Sequence, residues 1–294
     1  MTEIILNKLV IIGVGLIGGS FALALRRASL VEHIVGIGRS RENLLRAKEL
    51  GVIDEIANDL QETLKDADLV LLAVPVGQIG KTIAQISVYL ESKTIVTDVG
   101  STKQDVIIAA RSFLAHNLRN FVPSHPIAGT ELSGVNAANA NLFHHKHLIL
   151  TPLEETSVDA IHYITRLWQS CGARISQMQA SQHDEIFATM SHLPHILAFT
   201  LMNHVCTIAK GSPSNLLRFA GTSFLDFTRI ASSSPEMWRD ICLTNQASLL
   251  CQIDAYQDEL AALRKMLANN DGVTLEKTFS NAQAARHQWL KDKS

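Results

Sequence analysis

The sequence is poor in cysteine and has no motif built from it. Its four cysteines, Cys171, Cys206, Cys242 and Cys251, form no CxxC pair and no spacing of a zinc ribbon or disulfide framework. Scattered thiols in a chain of this size point to a reducing cytoplasm. Excess charge is also lacking. Twenty-six Lys and Arg against 28 Asp and Glu leave a net charge of -2, with no long-range attraction for nucleic acid or an anionic membrane. An anionic substrate would need positive groups placed locally. There is no low-complexity linker and no internal repeat. Long apolar runs are short of what a bilayer needs. Leu9 to Leu25 is uncharged and largely apolar, but it is marginal for a span. Arg26 and Arg27 follow it, which is the wrong side for a signal peptide.

What is present suits a globular protein. The 294 residues are 47% hydrophobic and 18% charged, enough apolar material for a core and a length that favours two domains. The first half alternates short β-branched runs with helical patterns. Strands are expected at Lys8 to Ile12, His33 to Ile37, Leu69 to Val74, Thr94 to Asp98, Phe121 to Ser124 and His147 to Thr151. Helices are expected at Ile17 to Arg27, Arg41 to Leu50 and Thr102 to His116. Such alternation implies a parallel, doubly wound α/β sheet. From about Ala180 helical patterns dominate: His183 to Ser191, His195 to Lys210, Pro235 to Leu263 with breaks, and Leu275 to Lys291. Ser234 before Pro235 is an N-cap and N1 pair, and Pro194 lies just before a helical run. The reading is two domains, residues 1–178 and an all-helical 179–294, packed with a cleft between them.

Gly13-Val14-Gly15-Leu16-Ile17-Gly18 is a GxGxxG motif that directly follows a strand and opens a helix, the Rossmann dinucleotide context. Gly13 permits the turn, Gly15 lets backbone approach a pyrophosphate, and Gly18 lets helix and strand pack. Leu16 and Ile17 begin the helix whose N-terminus faces the phosphates. Val74 and Pro75, at the end of the Leu69 run, complete the cofactor contacts. After the second strand NAD enzymes usually carry an acid for the ribose 2′-hydroxyl. Here Arg39, Ser40 and Arg41 stand instead, a set suited to a 2′-phosphate. NADP is favoured over NAD; the bland alternative is a solvated helix start.

Two strand ends carry polar words, Asp98-Val99-Gly100-Ser101-Thr102-Lys103 and Ser124-His125-Pro126-Ile127-Ala128-Gly129-Thr130-Glu131. Ligands in open α/β sheets bind at such ends. His125 could take a hydroxyl proton as hydride leaves the same carbon, or could merely brace its loop. The helical half contributes His192 and His195, three residues apart, and Arg229 between apolar neighbours, salt-bridged or presented to a carboxylate. No third ligand makes a metal motif with the two histidines, and His144, His145 and His147 read as an exposed loop, so no metal is expected.

These words occur in an order that resembles the prephenate and arogenate dehydrogenases over nearly the whole chain: Gly13 to Ser20, Asp98 to Lys103, Ser124 to Gly134, Ser191 to His195, Asp226 to Ala231 and Met237 to Ile241. The resemblance implies hydride transfer from the hydroxyl-bearing ring carbon of prephenate to a nicotinamide, loss of CO2 and formation of 4-hydroxyphenylpyruvate, in tyrosine biosynthesis. It implies His125 as the base and Ser101 as support for the hydroxyl and for His125. It places His195 near the ring carboxylate and Arg229 on the side-chain carboxylate. Thr130, Glu131 and His192 would line the cleft, and Trp238 would close it from a neighbouring subunit of a homodimer. The chain has no room for the chorismate mutase domain of bifunctional members. Arogenate, which bears an amine in place of the side-chain ketone, is the alternative substrate. A β-hydroxyacid or imine dehydrogenase of the same plan would use a lysine in the helical domain. A non-catalytic dinucleotide sensor would have no need of Ser101, His125, His195 and Arg229.

Overall fold

A computed structural model describes residues 5–129, 132–210 and 216–292. The first compact unit, Met1–Gln246, begins with β1 (Leu6–Ile12), α1 (Leu16–Arg27), β2 (Val31–Ile37), α2 (Arg41–Glu49), β3 (Glu55–Ile56), α3 (Leu60–Leu64), β4 (Leu69–Leu72), α4 (Val76–Ile86), β5 (Ile95–Asp98), α5 (Gln104–Phe113) and β6 (Phe121–Val122). The strands form one sheet in the order β3-β2-β1-β4-β5-β6, with every neighbouring pair parallel. The order reverses between β1 and β4, which opens the crevice where doubly wound sheets bind ligands.

Alternation along the strands explains the two layers. In β1, Leu9 and Ile11 face one apolar cluster with Phe21, Leu25 and Trp168. Val10 and Ile12 face the other, with Ile79, Ile83 and Val106. All four residues of β4 are fully buried, as a strand covered by helices on both faces requires. Helix α4 follows Pro75 directly and buries Val76, Ile79, Ile83 and Ile86, a single stripe of helical period. The periodicity of α4 was not resolved in the sequence, nor was that of α6 (Val158–Ser170), which packs Ala160, Ile164, Leu167 and Trp168 inward behind an N-cap at Ser157.

The run expected as one strand from Phe121 to Ser124 is split. Pro123 separates β6 from β7 (Ser124–Pro126), and the two belong to different sheets. Proline has no N–H for the ladder, but its carbonyl still accepts the Thr151 N–H at 3.0 Å. β7 pairs antiparallel with β8 (His147–Leu150), which pairs parallel with β9 (Arg174–Gln177). This small mixed sheet places His125 past the end of the main sheet.

From residue 180 the described residues are helical: α7 (Ala180–Phe187), a π-helical turn at Ala188–His192, α8 (Leu193–Lys210), α9 (Thr222–Thr228), a 3-10 turn at Arg229–Ser232, and α10 (Pro235–Thr244). Pro194 therefore sits inside a continuous helix rather than before one. It withdraws a backbone donor and crowds the preceding turn, and a π turn is the wider form that accommodates it. Ser234 caps α10, its hydroxyl accepting the Met237 N–H at 3.3 Å, with Pro235 in the first turn.

The second compact unit, Ala247–Ser294, consists of α11 (Gln246–Ala268) and α12 (Gly272–Lys291). Asn270, with φ +50°, makes the left-handed step between them, and Asp271 caps α12 by accepting the Thr274 N–H at 3.0 Å. Leu260 and Leu267 of α11 and Phe279 of α12 are exposed. No helix among the described residues is long and apolar enough to cross a membrane.

Candidate active site

The glycine turn follows β1 at the reversal point. Gly13 has φ +104°, and a Cβ there would lie 2.4 Å from the Ala73 carbonyl oxygen. The turn therefore presses against the end of β4, where Val74 and Pro75 follow. A Cβ on Gly18 would meet the Gly13 carbonyl oxygen at 2.4 Å, whereas one on Gly15 would meet nothing within 4 Å. Two glycines thus serve close packing, and Gly15 leaves open space beside the first turn of α1. That turn has no side-chain cap and no acidic residue, so its N–H groups and dipole are free to face an anion. These residues fit the pyrophosphate of a dinucleotide.

At the end of β2, Arg39 is 78% exposed and lies 3.8 Å from the Glu236 carboxylate. An ion pair this open to water is weak, and a phosphate could displace it. The Ser40 hydroxyl caps α2, accepting the Asn43 N–H at 3.2 Å. Arg41 is the first residue of that helix.

A hydrogen-bonded chain runs through the candidate base. His125 Nδ1 lies 2.9 Å from His183 Nε2, and His183 Nδ1 lies 2.8 Å from Asp184 Oδ1. Asp184 also accepts the Lys103 N–H at 2.8 Å and the Gln104 N–H at 2.9 Å. The N-terminus of α5, which has no side-chain cap of its own, is thus capped by a carboxylate from α7. The chain has a single consistent proton arrangement. A carboxylate can only accept, so His183 donates from Nδ1. Its Nε2 is then bare and accepts from His125 Nδ1–H. His125 Nε2 is left without a proton, which is the form a general base needs.

Electrostatics agree with this arrangement. Burial pushes His125 well below the ordinary 6.5, and the repulsion it would feel from protonated His183, from Lys103 and from protonated His192 pushes the same way. Burial would raise the Asp184 carboxyl, but hydrogen bonds from His183 and the two amides outweigh it and hold it below the usual carboxylate range. His183 is lowered by burial, with Asp184 opposing the shift. Phe187 packs edge-on to the His125 ring at 5.0 Å and limits its rotation.

Beneath this chain lies an ion pair with no exposed surface. Lys103 Nζ bonds Asp98 Oδ2 and, at 2.8 Å, the Ser124 carbonyl oxygen. Asp98 Oδ1 accepts the Ser124 N–H at 3.1 Å. The pair locks the end of β5 to the start of β7, one residue before His125. Ser101, partly buried, follows Gly100 on the same turn.

The π turn shapes the second cluster. His195 Nδ1 donates to the Ser191 carbonyl oxygen at 2.9 Å, and its ring stacks on Trp238 with centroids 3.8 Å apart. Trp238 is 7% exposed, and the ring against His195 belongs to the same chain. Burial lowers His195 as well; a carboxylate brought to its free Nε2 would favour the charged form and raise it again. His192 is buried and pulled down by burial to about 4. Its Nδ1 accepts from Asn245 Nδ2 at 3.1 Å, while Asn245 also donates to the Asp184 carbonyl oxygen at 2.7 Å. His192 therefore braces the α7–α10 junction. Arg229 is exposed at the start of the 3-10 turn after α9. Thr130 and Glu131 lie outside the described residues. Among the described residues no group of three or more His, Cys, Asp or Glu is arranged to hold a metal.

His183, Asp184 and Asn245 were not singled out in the sequence. The only local signal is a histidine next to an aspartate in a helix, which is common and uninformative until α7 is placed against α5 and β7.

Comparison with known proteins gives a consistent picture. The profile described as prephenate dehydrogenase, nucleotide-binding domain, matches residues 21–177, and that described as prephenate dehydrogenase, dimerization domain, matches residues 179–281. The cyclohexadienyl dehydrogenase of Zymomonas mobilis is 38% identical over 283 residues, 96% of each chain. The solved structure of prephenate dehydrogenase from A. aeolicus, in complex with hydroxyphenyl propionate and NAD+, has a TM-score of 0.89 at 33% identity, covering 96% of this chain and 98% of that one. The structure of Synechocystis arogenate dehydrogenase has a TM-score of 0.79 at 27% identity, covering 96% and 99%.

Proposed function

The chain belongs to the prephenate dehydrogenase family, and from that premise we propose that it oxidises and decarboxylates prephenate to 4-hydroxyphenylpyruvate using NAD(P), in tyrosine biosynthesis. The observation that carries the reading is the His125–His183–Asp184 chain, which leaves His125 Nε2 bare at the end of a dinucleotide-binding sheet. Residues 1–178 form the cofactor-binding domain and residues 179–294 the substrate-binding and dimerisation domain. The setting is the cytoplasm and the assembly a homodimer, a reading supported by the exposed apolar side chains of α11 and α12.

The nicotinamide, when bound, supplies the acceptor for the substrate's hydride. The dinucleotide is held by Gly13, Gly15, Leu16, Ile17 and Gly18 at its pyrophosphate, by Arg39, Ser40 and Arg41 at the adenosine end, and by Val74 and Pro75 beside the β4 end. The chain's own groups do the remaining work. His125 Nε2 accepts the ring hydroxyl proton, and Asp184 offsets the positive charge that then develops on the histidine pair. Ser101 orients the hydroxyl. His195, held by Ser191 and Trp238, meets the ring carboxylate that departs as CO2. Arg229 takes the side-chain carboxylate, with Thr130, Glu131 and His192 ordering the surroundings.

The direct test is absorbance at 340 nm with prephenate or arogenate and NAD or NADP. Reduction with prephenate is expected. Reduction with arogenate alone would shift the substrate, and bound cofactor with no reduction in any combination would leave a sensor. Two variants refine the reading. Arg229→Ala should raise the KM for prephenate roughly 10- to 100-fold, the size of one lost charge-assisted contact, with a smaller change in kcat. An unchanged KM would remove Arg229 from the substrate site. Arg39→Ala should lower kcat/KM with NADP about tenfold more than with NAD. Equal losses with both cofactors would mean that Arg39 does not read the 2′-phosphate.

A further inference from the structure

The stretch of chain downstream of His125 is fastened to the glycine turn by side chains outside the GxGxxG motif. Asn43, on α2, donates from Nδ2 to the Val14 carbonyl oxygen at 2.6 Å and accepts the Val135 N–H on Oδ1 at 3.2 Å. Its own N–H is used by Ser40, so the residue is held by three separate bonds. Both ends of the amide are spoken for by backbone from different parts of the chain, 29 and 92 residues away.

Neighbouring contacts reinforce the same junction. The Asn139 N–H bonds the Ser20 hydroxyl of α1 at 2.9 Å, and Arg46 Nε bonds Asn136 Oδ1 at 3.0 Å. A Cβ on Gly19 would stand 3.0 Å from Ala138 Cβ, so the fourth glycine of the turn makes room for this segment and not for a cofactor. Val135 is 2% exposed and belongs to the apolar cluster of α1.

The Val14 carbonyl is the sensitive point. It belongs to the planar peptide unit whose Gly15 N–H closes the turn on the Gly13 carbonyl oxygen at 3.0 Å. Fixing the oxygen fixes how the turn presents itself to a phosphate. Whatever moves or stiffens Val14 on occupation is felt at Val135 through one amide group.

We propose that Asn43 is a positioning residue that couples occupancy of the glycine turn by a dinucleotide to the order of the segment at residues 132–139, which leads back along the chain to His125. The proposal rests on the dinucleotide-binding part of the reading above and not on the identity of the substrate. Linkage makes the effect reciprocal: order in the segment also favours cofactor binding.

Hydrogen exchange of the full chain with and without NAD+ or NADP+ tests it. In the wild type, saturating cofactor slows exchange both at residues 13–20 and at residues 132–142. Asn43→Asp keeps the acceptor for Val135 but loses the donor to Val14. In that variant, with cofactor raised until residues 13–20 are protected, the slowing at 132–142 falls by about fivefold or more, the scale of ordinary coupling between sites. Asn43→Ser, which shortens the side chain without adding charge, gives the same loss and guards against an effect of the new carboxylate. A role in stability alone would change exchange with and without cofactor equally. Cofactor-dependent slowing at 132–142 that survives in both variants, or is absent in the wild type, overturns the coupling. Absence of slowing at 13–20 in the wild type would instead overturn the dinucleotide site itself.

Discussion

Replacing His125 with asparagine is expected to lower kcat by roughly 10²- to 10⁴-fold, the contribution of a positioned general base, while leaving cofactor affinity nearly intact. The amide is close in size and can still hydrogen-bond His183, so the loop should hold. What it lacks is a basic nitrogen aimed at the substrate hydroxyl. The glycine turn is built from β1, α1 and the end of β4, and none of its contacts passes through His125. Steady-state turnover at 340 nm and a direct cofactor titration separate the two effects, and a variant that turns over at the wild-type rate would remove His125 as the base. The pH profile carries the same information with a definite sign. Because His125 lies well below 6.5 in the folded protein, its neutral form persists through neutral pH. In the wild type kcat/KM should therefore stay level through the neutral range and fall only on the acid side of 6.5. A fall centred at 6.5 or above would contradict the burial that sets this group.

Asp184→Asn is expected to cost a comparable factor in kcat, roughly 10²- to 10³-fold, although Asp184 touches neither substrate nor cofactor. The carboxylate accepts from His183 Nδ1 and from two backbone amides. A carboxamide has one acceptor oxygen, which the Lys103 and Gln104 amides claim, and it turns its NH2 toward His183. His183 must then accept at Nδ1 and donate from Nε2. His125 is forced to accept at Nδ1 and to carry its proton on Nε2, the wrong nitrogen for a base. The expectation is a lost kcat with the KM values little changed. His183→Gln provides the contrast, because its side-chain oxygen can still accept from His125 Nδ1, and it should retain more activity than Asp184→Asn. Equal kcat in the wild type and in Asp184→Asn would show that the chain of bonds holds the fold without setting the tautomer.

Much of the architecture is local in origin and could be read directly. The strand, turn and helix around Gly13 to Gly18 follow from short-range geometry: an apolar strand, a glycine that tolerates φ +104°, and a helix left uncapped. Ser234 with Pro235 announced α10 for the same reason. The apolar run that became β4 was legible because burial on both faces leaves no polar residue in it. Where local signals competed, the boundaries moved. Pro123 cut one expected strand into members of two sheets, and Pro194 was absorbed into a helix by a π turn instead of ending it. Of the candidate active site, His125, His195, Arg229 and the glycines could be named because they lie in recognisable words. The glycine turn, the alternation of strands and helices, and the residues able to do acid–base chemistry are thus properties of the sequence by itself, since each depends on neighbours within a few positions. Which nitrogen of His125 carries the proton is not. That depends on Asp184, 59 positions further along the sequence, and on the α5 N-terminus that holds its charge, and only the packing of α7 against α5 and β7 brings those groups within hydrogen-bonding distance.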